Sequence, residues 1–135
     1  MKHFKSKADI NQFKSFLGFV EQALDGIDVP QKTVFSLMTV AEEIIINIIN
    51  YAYTDEPGDL EIDFENEEQI IRFTFKDQGT PFNPMEHSEV DTSLGAHERD
   101  IGGLGIHLVK SMTDRVTYQY ENGKNILAIE KKLDE

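Results

Sequence analysis

The sequence predicts an α+β protein, a two-layer sandwich in which a mostly antiparallel sheet carries three helices on one face. Two amphipathic helical segments come first along the 135 residues. A pair of alternating apolar and polar stretches follows, and a third helical segment then precedes a second such pair. Because each pair is joined by a short turn, we expect two antiparallel hairpins rather than alternating βαβ units. We predict one domain over residues 1–135.

The overall composition limits which partners the protein can bind and where in the cell it is expected. The formal net charge of −12 argues against binding to nucleic acid or to an anionic membrane, which needs a cationic surface. It leaves open a nucleotide held locally by backbone amides and a metal ion. There is no cysteine, and we find no signal peptide and no apolar run near the ~20 residues of a membrane helix. We therefore expect a cytoplasmic protein.

The first helix is predicted over Asp9–Asp25, where the apolar residues share one face. Asp9 is suited to cap its start and Gly26 its end. The second helix is predicted over Gln31–Tyr53, after Pro30. Its five isoleucines favour strands locally, but its polar residues recur at helical spacing. We expect a largely buried helix with one polar line along it.

The polar line of the second helix contains Glu43, Asn47, Asn50 and Thr54. One interpretation is an exposed stripe on an otherwise buried helix. The other is a site, because the carboxylate of Glu43 and the amide of Asn47, one turn apart, would both face one metal ion or ligand.

Two hairpins account for the predicted strands. Leu60–Glu65 and Gln69–Asp77 alternate apolar and polar residues around a short turn. Asp114–Tyr120 and Ile126–Lys131 flank Asn122-Gly123, a strong hairpin signal. The first hairpin runs directly into Asp77-Gln78-Gly79-Thr80-Pro81-Phe82. An aspartate there indicates either an ordinary turn or a hydrogen-bond acceptor at the mouth of a pocket.

A long polar stretch, Asn83–Ile101, separates the first hairpin from the third helix. A loop of this length is typically disordered or functional, and the functional form is a lid over a ligand. Gly102-Gly103-Leu104-Gly105 then opens the helix. These glycines would let amides at the helix start approach an anion, or would serve as a flexible hinge. The chain has no P-loop pattern, and this GxG lacks the context of a dinucleotide fingerprint.

Three motifs therefore occur in a fixed order: Glu43-x-x-x-Asn47, Asp77-x-Gly79-x-Pro81-Phe82, and Gly102-Gly103-Leu104-Gly105-Ile106. In this order the chain resembles the Bergerat-fold (GHKL) ATP-binding domain over nearly its whole length. Its small size, its two N-terminal helices and the segment 110–118 are similar to the stand-alone bacterial anti-sigma-factor serine kinases. The resemblance implies ATP and Mg²⁺ as ligands.

The resemblance also implies a role for each motif residue. Asn47 would bind both ATP and Mg²⁺, and Glu43 would be the general base. Asp77 would accept from the adenine amino group, and Gly79 would leave space for the base. Backbone amides at Gly103 and Gly105 would reach the phosphates. Apolar contact with adenine would come from residues that also suit a core: Ile44, Ile48, Phe82 and Leu104.

The function implied is an ATP-dependent serine-protein kinase that phosphorylates an anti-anti-sigma protein, with a sigma factor and a second copy of the chain as further partners. The alternative is a non-catalytic switch in which ATP binding controls partner docking. A module cut from a histidine kinase is a third interpretation. Tyr51 stands where the family often has histidine. Arg99 would contact the γ-phosphate or be a solvated lid residue, and the four histidines show no zinc-ligand spacing.

Overall fold

The structure is a computed structural model that describes residues 1–84 and 107–133. The strands are β1 (Lys2–Lys7), β2 (Asp59–Glu67), β3 (Ile70–Asp77), β4 (Arg115–Glu121) and β5 (Lys124–Lys132). The helices are α1 (Phe13–Asp25), α2 (Gln31–Tyr51) and α3, of which residues 107–112 are described. A 3-10 turn, Ile10–Gln12, leads into α1. All strand pairs are antiparallel, in the order β1-β2-β3-β5-β4. The predicted α+β sandwich is confirmed.

The core lies between one face of the sheet and the helices. Alternate residues of β2 and β3 point into it, as the sequence pattern predicts: Leu60, Ile62, Phe64, Ile71, Phe73 and Phe75. Val109 of α3 belongs to the same buried cluster. The opposite face of β2 and β3 carries charged residues that pair across strands, including Lys76 with Asp63 at 2.9 Å. One face of the sheet is thus apolar and the other polar, as expected for a single antiparallel layer.

Strand β1 was missing from the sequence prediction. Its residues alternate, but only Phe4 is apolar, and lysines on an exposed edge are typical of strands that must not pair further. Phe4 contacts Phe16 edge-on and stacks against Phe19, with ring centroids 5.5 Å and 5.6 Å away. These contacts hold the N-terminal segment against α1. They also cover Phe19, which lies off the main apolar stripe of that helix.

Helix α2 differs from its prediction in two respects. It ends at Tyr51 rather than Tyr53, and only one face is fully buried, through Leu37, Val40, Ala41, Ile44 and Ile45. In a two-layer fold the far side of a helix has no second layer to cover it, and Phe35 on α2 is 68% exposed.

The apolar character of α2 also bears on the expectation about membrane segments. By length and average composition α2 would pass as a membrane-spanning helix, although polar and charged residues repeatedly interrupt its apolar sequence. A core helix of a globular domain passes the same test, and the buried residues of α2 pack in the core cluster.

Candidate functional site

The first motif lies on α2, where Glu43 and Asn47 are one turn apart on the same side of the helix. Both residues are half-buried. Ile44, a predicted adenine contact, is 4% exposed and belongs to the core cluster, while Ile48 is partly buried against that cluster. Of these two, Ile48 has more surface left for a ligand.

Asn47 carries the clearest sign of a ligand site. Its Oδ1 atom is buried and has no hydrogen-bond partner among the residues that the structure describes. A buried polar atom without a partner costs about 1–3 kcal/mol, so such atoms are rare unless something else binds them. An amide oxygen is a hard ligand of the kind that Mg²⁺ prefers. Asn47 therefore fits a magnesium ion shared with phosphate groups.

A fuller protein cage for a metal is not seen. Across residues 1–84 and 107–133 no group of three or more histidine, aspartate or glutamate side chains lies close enough to hold an ion. Mg²⁺ bound by one or two protein oxygens together with substrate phosphates needs no such cage.

The environment of Glu43 makes its carboxylate a stronger base. Burial raises the pKa of Glu43 above its ordinary value, and the neighbouring charge of Glu42 raises it further. A carboxylate with a raised pKa holds a proton more tightly, which is what a general base acting near neutral pH requires.

The second motif begins at the last residue of β3. Asp77 is 6% exposed, and its Oδ1 atom accepts hydrogen bonds from the backbone N–H of Gly79 at 2.8 Å and from Asn125 Nδ2 at 2.9 Å. Burial raises the pKa of Asp77, while the two donors act in the opposite direction. A buried carboxylate held by two donors is a fixed acceptor rather than a solvated turn residue.

Asn125 is a site residue that sequence reasoning missed. It lies on β5 directly opposite Asp77 in the strand register and is 7% exposed. The available signal was an asparagine at an inward position of a strand, since Leu127 and Ile129 follow it at the same spacing and are buried. A polar residue on an apolar face needs partners.

A close approach of backbone brings the first two motifs together. A Cβ atom on Gly79 would lie 2.1 Å from the carbonyl oxygen of Ala52, directly after α2. The N–H of Thr80 donates to that same oxygen at 3.0 Å. The resemblance implies that Gly79 leaves space for the adenine base. On the side where a Cβ atom would lie, that space is filled by Ala52 at the end of α2. Asn47 lies five residues before Ala52, about 7.5 Å along a helix axis.

Tyr53 holds the same junction from the other side. Its hydroxyl donates to the carbonyl of Asp59 at 2.6 Å and accepts from the N–H of Gln78 at 2.7 Å. The Tyr53 ring also fills the space where a side chain at position 58 would lie, since a Cβ on Gly58 would be 2.3 Å from it. Tyr53 therefore links the end of α2 to the start of β2 and to the end of β3.

Of the remaining predicted residues, Phe82 and Tyr51 lie in the described part of the chain and the others do not. Phe82 is 49% exposed, and its N–H donates to Asn125 Oδ1 at 3.1 Å. Tyr51 is also 49% exposed at the end of α2. The third motif and most of the predicted lid lie outside the described residues, which leaves Arg99, Gly103, Leu104 and Gly105 as sequence predictions.

Comparisons with known proteins identify the family of the chain. Residues 6–131 match the family of histidine kinase-like ATPase domains. The serine-protein kinase RsbW of Listeria monocytogenes is 26% identical over 108 residues, which are 73% of this chain and 69% of the relative. RsbW of Staphylococcus aureus is 29% identical over 93 residues, which are 62% of this chain and 57% of that relative.

Solved structures show the same fold. The histidine kinase domain of a blue-light activated kinase from Erythrobacter litoralis EL346 superposes with a TM-score of 0.60 at 18% identity, covering 90% of this chain and 61% of that one. A chain of the SiaB-SiaC complex from Pseudomonas aeruginosa gives 0.59 at 11% identity, covering 97% and 89%. At these identities the likeness concerns the fold alone.

We predict that Gly79→Ala lowers the free energy of unfolding by about 1–3 kcal/mol, since the new methyl group meets the backbone of Ala52 rather than a movable side chain. Chemical denaturation would measure the change. The control is Gly18→Ala, where a Cβ meets nothing within 4 Å in α1. That change should stabilise the protein by about 0.5–1 kcal/mol. Equal effects from both substitutions would contradict the packing constraint.

We predict that Asp77→Asn makes the protein more stable at neutral pH. Because the folded-state pKa of Asp77 is raised, the stability that its neutral form provides is lost as pH rises through that pKa. The asparagine stays neutral, so its advantage over wild type should grow with pH above about 4 and vanish below it. Urea denaturation across pH measures this, with Asp55→Asn in the exposed turn as the charge-matched control. An advantage independent of pH would refute the prediction.

Proposed function

The chain belongs to the histidine kinase-like ATPase domain family, and on that premise we propose that it is an ATP-dependent serine-protein kinase acting on an anti-anti-sigma partner. The similarity to RsbW kinases supports this choice within the family. The family match over residues 6–131 also supports a single domain. We place the protein in the cytoplasm, where sigma factors act.

One observation carries the proposal: the buried oxygen of Asn47, which has no hydrogen-bond partner among the described residues, lies one helical turn from Glu43, whose pKa is raised. The first atom is suited to a magnesium ion and the second group to proton abstraction. A purely structural helix face would not need to bury the amide oxygen of Asn47 beside the half-buried Glu43. Asn47 would hold Mg²⁺, which when bound supplies positive charge beside the phosphate oxygens.

Adenine recognition is proposed for Asp77. Its Oδ1 atom is occupied by two protein donors, and its Oδ2 atom accepts no hydrogen bond from the described residues. Oδ2 is therefore available for the exocyclic amino group of adenine. Gly79, Phe82, Gly103, Leu104 and Gly105 complete the proposed nucleotide site by motif position, with Phe82 offering an exposed ring.

The proposed chemistry uses Glu43 as general base. Glu43 takes the proton of the partner's serine hydroxyl, and the serine oxygen forms a bond to the γ-phosphorus. The bond from that phosphorus to the β–γ bridging oxygen breaks, and ADP leaves with the bonding electron pair. The products are phosphoserine and ADP, and the proton rests on Glu43 until solvent removes it.

The partner is proposed to be a small single-domain protein that presents a serine or threonine. A sigma factor and a second copy of this chain are further partners implied by the family likeness. Neither is required for the transfer step described above.

We expect Mg-ATP to bind wild-type protein with a dissociation constant on the order of micromolar, and Asp77→Asn to weaken binding at least tenfold, because an amide NH₂ turned toward the adenine amino group cannot accept from it. Isothermal titration calorimetry measures both. Asp55→Asn should bind as wild type does. Since Asp77→Asn is predicted to be the more stable protein, loss of binding would not be attributable to unfolding. Wild-type protein that binds no ATP would overturn the proposal.

We expect Glu43→Gln to keep ATP affinity within about threefold while phosphotransfer falls by about 10²–10⁴-fold, since glutamine cannot take the serine proton. The assay incubates each variant with Mg-ATP and, one at a time, purified anti-anti-sigma proteins of the same genome. Mass spectrometry then counts added phosphoryl groups. Glu42→Gln, on the exposed neighbour, should stay within about threefold of wild type, because burial, the larger cause of the raised pKa of Glu43, is unchanged.

Two results would change the assignment. Normal phosphotransfer by Glu43→Gln would remove Glu43 as the base. Nucleotide-dependent partner binding by wild type, with no phosphorylated product after long incubation, would favour the non-catalytic switch.

A further inference from the structure

Asp77 and Asn125 are the two polar residues that are buried in the core among the residues the structure describes. They face each other across β3 and β5 as Cα partners, although 48 residues separate them in sequence. The proposed function uses Asp77 and gives Asn125 no role. A buried asparagine inside an apolar cluster is costly unless its hydrogen bonds are all made, so its contacts indicate what it does.

The hydrogen bonds of Asn125 use its whole amide group. Nδ2 donates to Asp77 Oδ1 at 2.9 Å and to the carbonyl of Thr80 at 3.0 Å, with a longer contact of 3.5 Å to the carbonyl of Gly79. Oδ1 accepts from the N–H of Phe82 at 3.1 Å and from the hydroxyl of Tyr118. An asparagine offers two donor hydrogens and two acceptor lone pairs, and all four are engaged.

These partners leave only one orientation for the amide. If it were reversed, the NH₂ group would face the N–H of Phe82, and the oxygen would face Asp77 Oδ1 and the carbonyl of Thr80. Each of those contacts would be repulsive. The donor that faces Asp77 is therefore determined by the surrounding backbone and does not depend on Asp77 itself.

The fixed donor has a chemical consequence for Asp77. A hydrogen bond to a carboxylate favours its charged form, which opposes the effect of burial. It also occupies Oδ1, so that Oδ2 is the oxygen left to meet a ligand. A charged carboxylate can only accept hydrogen bonds, whereas a protonated one can also donate. Adenine presents an amino donor at its 6-position and guanine presents a carbonyl acceptor there. Only the charged form distinguishes the two.

We propose that Asn125 is a positioning residue that makes the nucleotide site selective for 6-amino purines, by holding Asp77 as an acceptor with Oδ2 directed to the base. The inference rests on the proposed function, because it requires that a purine nucleotide binds at Asp77. Without Asn125, Asp77 would lose a fixed donor and could take up a proton that it then donates to a 6-oxo group. The role concerns discrimination between bases more than total affinity.

The test compares ratios of affinity. Calorimetry would give the dissociation constants of Mg-ATP, Mg-GTP and Mg-purine riboside triphosphate, which lacks the 6-amino group, for wild type and Asn125→Leu. We expect wild type to bind ATP more tightly than either analogue. In the variant, the ratio of each analogue's dissociation constant to that of ATP should fall at least tenfold. A residue that merely supported the fold would weaken all three nucleotides by one common factor, and that result would overturn the inference.

The matched control is Tyr118→Phe, which removes the hydroxyl that donates to Asn125 Oδ1 and leaves the donors toward Asp77 in place. Its nucleotide preferences should stay within about threefold of wild type. Failure of the proposed function can be told apart from failure of this inference. If wild-type protein binds none of the triphosphates, both the proposed function and the role of Asn125 are wrong. If wild type and Asn125→Leu bind ATP with the same selectivity, only the role of Asn125 is wrong.

A measurement on wild-type protein covers the case in which Asn125→Leu does not fold. In ¹⁵N-labelled protein, the side-chain amide signals of Asn125 should shift when Mg-ATP is added, because the adenine amino group polarises the carboxylate to which Nδ2 donates. Mg-purine riboside triphosphate should shift them much less. Equal shifts with both nucleotides would contradict the role of Asn125.

Discussion

The arrangement of this protein depends on one close backbone contact, in which the carbonyl of Ala52 occupies the space where a side chain at Gly79 would stand. That carbonyl belongs to the end of α2 and would lack a helical partner, but the N–H of Thr80 satisfies it. The same contact joins the helix that carries Glu43 and Asn47 to the strand that carries Asp77. Two motifs separated by some thirty residues of chain thereby become neighbours, and only glycine permits that distance.

The candidate site places polar groups where an apolar core would be more stable. Asp77 and Asn125 are buried, Glu43 is half-buried with a raised pKa, and Asn47 has a buried oxygen to which no described residue donates a hydrogen bond. Asp77 and Asn125 offset part of their cost through mutual and backbone hydrogen bonds. Asn47 does not, in the described part of the chain. A ligand site requires polar groups whose hydrogen bonds the protein does not complete, since the ligand supplies the missing partners.

The elements that were predicted correctly are those with strong periodicity. The alternation in β2 and β3 identified the inward residues, and the apolar stripe of α1 identified that helix. Strand β1 has a single apolar residue, Phe4, and gave no such signal. It exists because β2 offers an open edge for pairing and because Phe4 can pack on α1. The burial of α2 was overestimated for a similar reason, since composition does not reveal how many layers cover a helix.

The sequence by itself determined the fold class, the order of the motifs and the types of group they bring: a carboxylate and an amide on one helical face, and an aspartate at the end of a strand. Only the tertiary structure decided that Asn125 faces Asp77 and that Asn47 Oδ1 has no hydrogen-bond partner within residues 1–84 and 107–133. The physical reason is the distance along the chain between the interacting residues. Periodicity and capping reflect neighbours within a few residues. The pairing of β3 with β5 and the burial of a particular oxygen depend on segments that meet only after the chain has folded.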